Sequence, residues 1–239
     1  MDTGTNTQNL RSAWDGLSKD RRADGRGAIY VFVSPTSGVG TSYVVRNMAL
    51  IAAAQMPIGK QVLIVDMDIQ SSAQANWFFS AQMQTSYGVP DGPYDACFGT
   101  VPFWRITPSM VGDQGQNLTD SHFMSLHVVN GANLAFTKFH WEQFRQGQTA
   151  HIQNARGYWH KLREYFGAIF VDTPALDRAD IVSTVCPEAD STILVSATKD
   201  SGSKALGDAF TRINDLNGRC AGAILNDLPT LQTDYEGSI

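Results

Sequence analysis

Apolar residues along the chain fall into two alternating rhythms. Continuous apolar and β-branched runs occur at Ala28 to Val33 (AIYVFV), Gln61 to Asp66 (QVLIVD), Ala168 to Asp172 (AIFVD), Ser191 to Ser196 (STILVS) and Ala221 to Asn226 (AGAILN). Runs of this length without polar alternation predict strands covered on both faces. Leu126 to Val129 (LHVV) is a sixth candidate. Between several of them the spacing changes to three and four, as at Val45, Met48 and Ala52 beyond Ser42, at Tyr158, Trp159, Leu162 and Phe166 within 152–166, and at Leu206, Phe210 and Ile213 within 203–216. This is the period of amphipathic helices. Strands alternating with helices predict an α/β fold, a parallel sheet with right-handed crossovers and helices on both faces, in a three-layer sandwich. The binding crevice of such a fold lies at the carboxyl ends of the strands.

Three stretches break the rhythm. Residues 1–26 are polar and end in SKDRRADGRG, which reads as an N-terminal arm with one short helix around Leu10, Trp14 and Leu17. Residues 78–123 are rich in Gly, Pro, Gln, Ser and aromatics, which predicts an insertion with short helices, a lid or an interface within a domain spanning 27–230. Residues 231–239 form a short tail. The aromatics between Phe136 and Phe144 (FTKFHWEQF) are expected to cover the sheet, with partner docking as the other use.

Composition narrows the field. With 239 residues, 43% of them hydrophobic, the chain suits one sizeable α/β domain. A net charge of -5 leaves no electrostatic footprint for general nucleic-acid binding, although Arg21, Arg22 and Arg26 make a local basic cluster. Cys97, Cys186 and Cys220 lie far apart without metal spacing, and no leader or membrane span is evident, so a cytoplasmic protein with ordinary thiols is expected. The five histidines lack metal-binding spacing and read as ordinary core or surface residues. No Ser stands in a GxSxG elbow, which argues against an α/β-hydrolase.

The chemistry concentrates after the first strand. Ser34-Pro35-Thr36-Ser37-Gly38-Val39-Gly40-Thr41-Ser42-Tyr43 reads as a phosphate-binding loop, with glycines that let backbone amides converge and a helix whose N-terminus faces the same anion. Ser37, Gly38, Val39, Gly40, Thr41, Ser42 and Tyr43 are the candidate nucleotide contacts. Ser42 keeps the hydroxyl that binds Mg²⁺, but Thr41 stands where the motif has its lysine. Asp66 and Asp68 follow the second strand, and Asp172 ends a later one. Carboxylates at strand ends beside a phosphate site hold Mg²⁺ or orient an attacking group. Losing the lysine removes a contact worth about 1.5 to 3 kcal/mol, which weakens binding by roughly one to two powers of ten. Catalysis suffers more, because phosphoryl transfer depends on positioning and charge stabilisation. Lys60, Lys199 and Lys204 are the candidate replacement cations.

Four blocks, VSPTSGVGTSYVVRNMA, VLIVDMDIQ, IFVDTPALDRAD and GAILNDL, resemble in order and spacing the bacterial tyrosine kinases of polysaccharide synthesis, which belong with the ParA and MinD type of P-loop ATPases. The resemblance covers about residues 28–228. It implies a Walker A loop in the first block, a Walker A′ motif at VLIVDMD and a Walker B motif at DTP. By the same likeness Asp66 and Asp68 would serve Mg²⁺ and an incoming tyrosine hydroxyl. Asp172 and Ser42 would serve Mg²⁺, Asn226 would lie near the adenine of ATP or ADP, and Asp180 matches an aspartate that often follows the Walker B proline. The family's tyrosine-rich tail is reduced here to Tyr235, and its Glu/Arg-rich assembly helix has no match near the N-terminus.

The implied function is that of a degenerate kinase, with impaired or absent phosphoryl transfer. It would act in exopolysaccharide, capsule or holdfast-type polysaccharide synthesis and export, beside an inner-membrane co-polymerase or activator protein, with self-assembly as a further expectation. Two alternatives stand beside it: an active ATPase or kinase with a displaced lysine, and a MinD-like spatial regulator.

Overall fold

The computed structural model describes residues 3–20, 24–111, 117–118 and 120–227. Arg21, Arg22 and Tyr235, and with Tyr235 the whole tail 231–239, lie outside the described residues. The elements are α1 (Thr3–Leu17), β1 (Ala28–Val33), α2 (Thr41–Ala54), β2 (Val62–Asp66), α3 (Ala73–Phe78), α4 (Ala81–Tyr87), β3 (Asp91–Asp95) and β4 (Trp104–Thr107). Then come β5 (Met110–Val111), β6 (Asn117–Leu118), β7 (Met124–Val129), β8 (Leu134–Phe139), β9 (Thr149–Ile152) and α5 (Arg156–Tyr165). The chain finishes with β10 (Ala168–Asp172), α6 (Val182–Val185), β11 (Ser191–Ser196), α7 (Lys204–Asp215) and β12 (Cys220–Leu225).

An eight-stranded sheet runs in the order β12-β11-β1-β10-β2-β8-β7-β3. Strands β12 through β8 of that order are parallel, whereas β7 is antiparallel to β8 and β3 to β7. The α/β sandwich expected from the sequence is therefore present, with an antiparallel edge added. Side chains of β1 alternate between two cores. Ala28, Tyr30 and Phe32 pack with Leu10 and Trp14 of α1, Val44 to Ala53 of α2 and Phe78 of α3. Ile29, Val31 and Val33 pack with Tyr158, Trp159 and Leu162 of α5, Val182 and Val185 of α6, and Ala209 and Ile213 of α7.

The antiparallel edge comes from segments without a clear strand rhythm. In β8, Phe136 is fully buried and stacks on Phe78 at 4.8 Å, so part of the FTKFHWEQF cluster lies within the sheet instead of covering it. The 78–123 segment supplies α4, the edge strand β3, and β4, which pairs with β9. In β3, Gly92 has φ 134, and a Cβ there would lie 2.8 Å from the Leu126 carbonyl oxygen. A chained polar contact ties this edge together: Ser125 Oγ lies 2.8 Å from His127 Nε2 and 2.7 Å from His140 Nε2, and His140 Nδ1 lies 2.6 Å from Glu142 Oε1.

The N-terminal stretch carries a helix along residues 3–17, longer than the short one expected around Leu10, Trp14 and Leu17. Trp14 is fully buried, with its indole N–H donating to Gln55 Oε1 at 2.9 Å and its ring 5.4 Å from Tyr30 and 5.5 Å from Phe170. Among the described residues, no helix is long and apolar enough to cross a membrane. Truncating Trp14 to Ala is expected to lower unfolding free energy by about 3 to 5 kcal/mol, the usual cost of emptying a buried aromatic site. Urea denaturation of W14A measures this, and a loss below about 1 kcal/mol would mean that α1 is a dispensable arm.

Candidate nucleotide-binding site

Strand β1 delivers the chain to the carboxyl edge of the sheet, where Ser34 and Pro35 are still buried and Thr36, Ser37 and Gly38 are exposed. Gly38 (φ 80) and Gly40 (φ 84) take left-handed conformations that L side chains resist, and they fold the loop back onto α2. Gly40 is the N-cap of α2 and offers no side chain, so no side-chain hydrogen bond caps the helix. The first-turn amides of α2 thus keep the polarity that attracts an anion. One loop amide already carries such a group: the Ser37 N–H donates to Asp177 Oδ2 at 3.0 Å and its hydroxyl to Asp177 Oδ1 at 2.8 Å. These two bonds hold the Asp177 carboxyl below its ordinary pKa. On the other side of the loop, Asn226 Nδ2 donates to the Val39 carbonyl oxygen at 2.8 Å, which fastens the end of β12 to the loop.

The parallel register sets Phe32 beside Asp172 and Asp172 beside Asp66, so both aspartates end adjacent strands next to α2. Both are buried. Burial and their mutual repulsion raise the Asp66 pKa well above the usual carboxylate range. Burial pushes Asp172 up to about 6, against hydrogen bonds from Gln74 and Ser42 that favour its charged form.

Nearly all the acceptor capacity here is taken by protein donors. Asp66 Oδ1 accepts the Asp68 N–H at 3.1 Å and Asp66 Oδ2 the Gln74 N–H at 3.2 Å. Gln74 Nε2 donates to Asp172 Oδ2 at 2.7 Å and to the Ser42 carbonyl oxygen at 3.0 Å. Arg178 grips Asp68 with two bonds, at 2.5 and 2.9 Å. Beside Asp68 and Arg178 opens a cavity of about 400 Å³, lined also by Ile69, Pro174, Asp180 and Ile181. Asp180 pairs with Arg212 at its rim.

The structure thus brings Ser42, Asp66, Asp68 and Asp172 together and places Thr41, Tyr43 and Asn226 around the loop. Of the expected lysines, Lys60 is not among them. Lys60 precedes β2 at the opposite end of the sheet, while Lys199 and Lys204 are exposed, the latter near Asp208. The sequence reading missed Gln74, Asp177, Arg178 and above all Arg46. Arg46 is only 9% exposed, sits on α2 one turn beyond Ser42, and lies with its guanidinium 4.4 Å from the centre of the Trp77 ring. Burial lowers its pKa to about 10 while Asp172, Tyr43 and Asp66 oppose that loss, so it is charged at neutral pH. The signal was a lone cation on an otherwise apolar helix face.

Magnesium prefers an octahedral shell of oxygens, shared with phosphate and water. Asp66, Asp68 and one Asp172 oxygen are committed to amides or a guanidinium, which leaves Asp172 Oδ1 and Gln74 Oε1 as buried oxygens without a partner. Asp172 Oδ1 and the Ser42 hydroxyl beside it are what remain for the magnesium shell that the sequence resemblance implies, with phosphate and water completing it, while both Asp66 oxygens are engaged by main-chain amides.

A glycine loop joining strand to helix beside paired strand-end aspartates, on a mostly parallel sheet, defines the P-loop class of α/β fold. Among solved structures, the kinase domain of the Escherichia coli tyrosine kinase ETK is similar with a TM-score of 0.61 at 13% identity, over 98% of this chain and 80% of that one. The VpsO kinase domain follows with a TM-score of 0.56 at 15% identity, over 94% and 97%. The BceF tyrosine kinase domain gives 0.55 at 19% identity, over 93% and 78%. The chain has the fold of bacterial tyrosine kinase domains, as its four sequence blocks imply. No family model matches the chain, and no curated protein does.

The buried carboxylates make stability depend on pH. Folded, Asp172 keeps its proton up to about pH 6, whereas its ordinary value is 3.8. The folded state therefore binds more protons across that window, and stability falls as the pH rises through it, by about 3 kcal/mol for a shift of this size. The cost is absent below the ordinary value and complete above the folded one. Thermal unfolding between pH 4 and 7 is expected to show this decline, and Asp172→Asn is expected to flatten it.

Proposed function

We propose that this protein is a tyrosine-kinase-like P-loop protein that binds a nucleoside polyphosphate but carries out little or no phosphoryl transfer. The observation that supports it best is the loop itself: the amide cradle and uncapped α2 are formed, while Thr41 replaces the lysine, Lys60 precedes β2 at the opposite end of the sheet, and Lys199 and Lys204 are solvent-exposed. Backbone amides and a helix N-terminus are enough to hold phosphate oxygens, but charge development on a transferring phosphoryl group needs a cation aimed at it. The engagement of Asp68 by Arg178 supports the same conclusion, because a carboxylate held by two guanidinium bonds is a weak proton acceptor.

The biological setting follows from the family likeness. The proposed role is in the synthesis and export of an exopolysaccharide, capsule or holdfast-type polymer, where the protein would act as an assembly component. An inner-membrane co-polymerase or activator is the proposed partner, and self-association the proposed mode of assembly.

Calorimetric titration of ATP in excess Mg²⁺ into the wild type and into Thr41→Lys tests the reading. Binding by the wild type is expected, tightened roughly ten- to hundredfold in the variant by the restored contact. Absence of binding in both would remove the nucleotide from the account. Steady ATP turnover by the wild type, abolished in Asp172→Ala, would instead make the protein an active enzyme.

A further inference from the structure

The antiparallel edge of the sheet carries a side-chain cluster that the nucleotide site does not use. Ser125 and His127 stand two residues apart on β7, so their side chains leave the same face of the strand. His140 follows β8, and its N–H donates to the Phe123 carbonyl oxygen at 2.8 Å, which holds it beside the start of β7. The Gln143 N–H donates to the His140 carbonyl oxygen at 3.1 Å, and the turn so closed brings the Glu142 carboxylate back to the imidazole. Three contacts then run in series. Glu142 Oε1 lies 2.6 Å from His140 Nδ1, His140 Nε2 lies 2.7 Å from Ser125 Oγ, and Ser125 Oγ lies 2.8 Å from His127 Nε2.

The partners decide where the protons sit. A carboxylate against Nδ1 holds a proton there, so Nε2 of the neutral His140 ring is an acceptor and takes the hydroxyl proton of Ser125. Among the described residues, His127 Nδ1 is buried without a partner. A buried N–H left without an acceptor is costly, so the His127 proton belongs on Nε2, where it is donated to Ser125 Oγ. Burial pushes the His127 pKa down to about 4, which keeps that ring neutral at pH 7. Ser125 therefore donates to an imidazole that a carboxylate orients, the relation by which a serine nucleophile and its general base are recognised. Ser125 and His140 also line a cavity of about 450 Å³, walled by Pro93, Tyr94 and Met124.

We propose that Ser125, His140 and Glu142 form a second site, a nucleophilic triad that hydrolyses a short-chain ester of a small uncharged alcohol in this cavity. Ser125 Oγ bonds to the ester carbonyl carbon as its proton passes to His140 Nε2. The bond from that carbon to the alcohol oxygen then breaks, and the alcohol leaves with the proton. Water, giving a proton to His140, attacks the acyl carbon, the bond to Oγ breaks, and the proton returns to Ser125 as the acid departs. Glu142 acts through His140 and is a positioning residue. Gln143 lines the same cavity and carries the amide donor we assign to the developing oxyanion. Asp95, also in the lining, and Glu142 beside it disfavour an anionic substrate.

Two measurements on the full chain test this: turnover of p-nitrophenyl acetate and butyrate, and labelling by a fluorophosphonate probe with the modified residue located by peptide mass spectrometry. The folded wild type is expected to turn over the esters and to be labelled at Ser125, and the urea-unfolded protein to do neither. Ser125→Ala and His140→Gln are each expected to lose turnover by at least about a hundredfold. Glu142→Gln is expected to lower kcat by about tenfold or more with KM within about twofold, and to unfold at the wild-type temperature. A purely structural cluster would show the opposite, a shifted unfolding temperature with no turnover to lose. No labelling of the folded wild type, a label on another residue, or turnover that survives Ser125→Ala would each overturn the proposal, as would labelling of Ser125 without ester turnover. Should Ser125→Ala not fold, the residue labelled in the wild type decides, together with the kcat of Glu142→Gln.

Discussion

Two carboxylates buried side by side are each stripped of water, and each raises the energy of the other. Asp66 and Asp172 occupy that position, level with one another on adjacent strands. Much of the surrounding structure answers this one cost. Two backbone amides meet Asp66, and the Gln74 side-chain amide meets Asp172. Further out, Arg178 meets Asp68 and thereby pins the segment after β10 to the segment after β2. The carboxylates are in this sense the centre from which the local polar network is organised, and burial still holds their pKa values above the ordinary carboxylate range.

The scaffold holds this centre by bringing parallel strands to a common edge. Because β1, β2 and β10 run the same way in register, the loop, Asp66 and Asp172 emerge together without any contact between their side chains being needed to align them. Helix α2 keeps its place through the apolar face from Val44 to Ala53, and α1 presses on the same layer with Trp14 against Tyr30 and Phe170. Large aromatics on that face contribute through the area they bury and through their ring contacts. The packing that secures the sheet is thus the packing that aims the helix N-terminus.

Legibility in the sequence followed the range of the interactions. Strands buried on both faces announce themselves as unbroken apolar runs, and β1, β10 and β11 begin and end where AIYVFV, AIFVD and STILVS do. By contrast β3 is DGPYD, exposed throughout and made, Tyr94 apart, of residues that disfavour strands, so only its pairing to β7 defines it. The helix expected over 152–166 starts later because Ile152 belongs to β9, paired with Trp104 far away in the chain. At the site, Ser42, Asp66 and Asp172 were visible because strand ends and glycine loops are local patterns. Their partners were not: Gln74 meets Asp172 from 98 residues away, Arg178 meets Asp68 from 110, and Asp177 meets Ser37 from 140. Arg46 left a local trace, a charge on an apolar helix face, but its partner, Trp77 of α3, is one that the helix pattern does not reveal.

The loss of the loop lysine looks different once these partners are counted. A motif lysine acts on two sets of charge, the phosphate oxygens that come and go and the carboxylates that stay. Thr41 removes the first action outright, since a short, nearly buried hydroxyl at the start of α2 has no charge to offer a γ-phosphate. The second action falls to donors already in place, the main-chain amides on Asp66 and the Gln74 side chain on Asp172. Such donors stabilise the resting carboxylates but are not directed at a transferring group, and catalysis depends on interactions that are stronger in the transition state than in the ground state. Folding and phosphoryl transfer, which one lysine would serve together, are therefore separable in this fold.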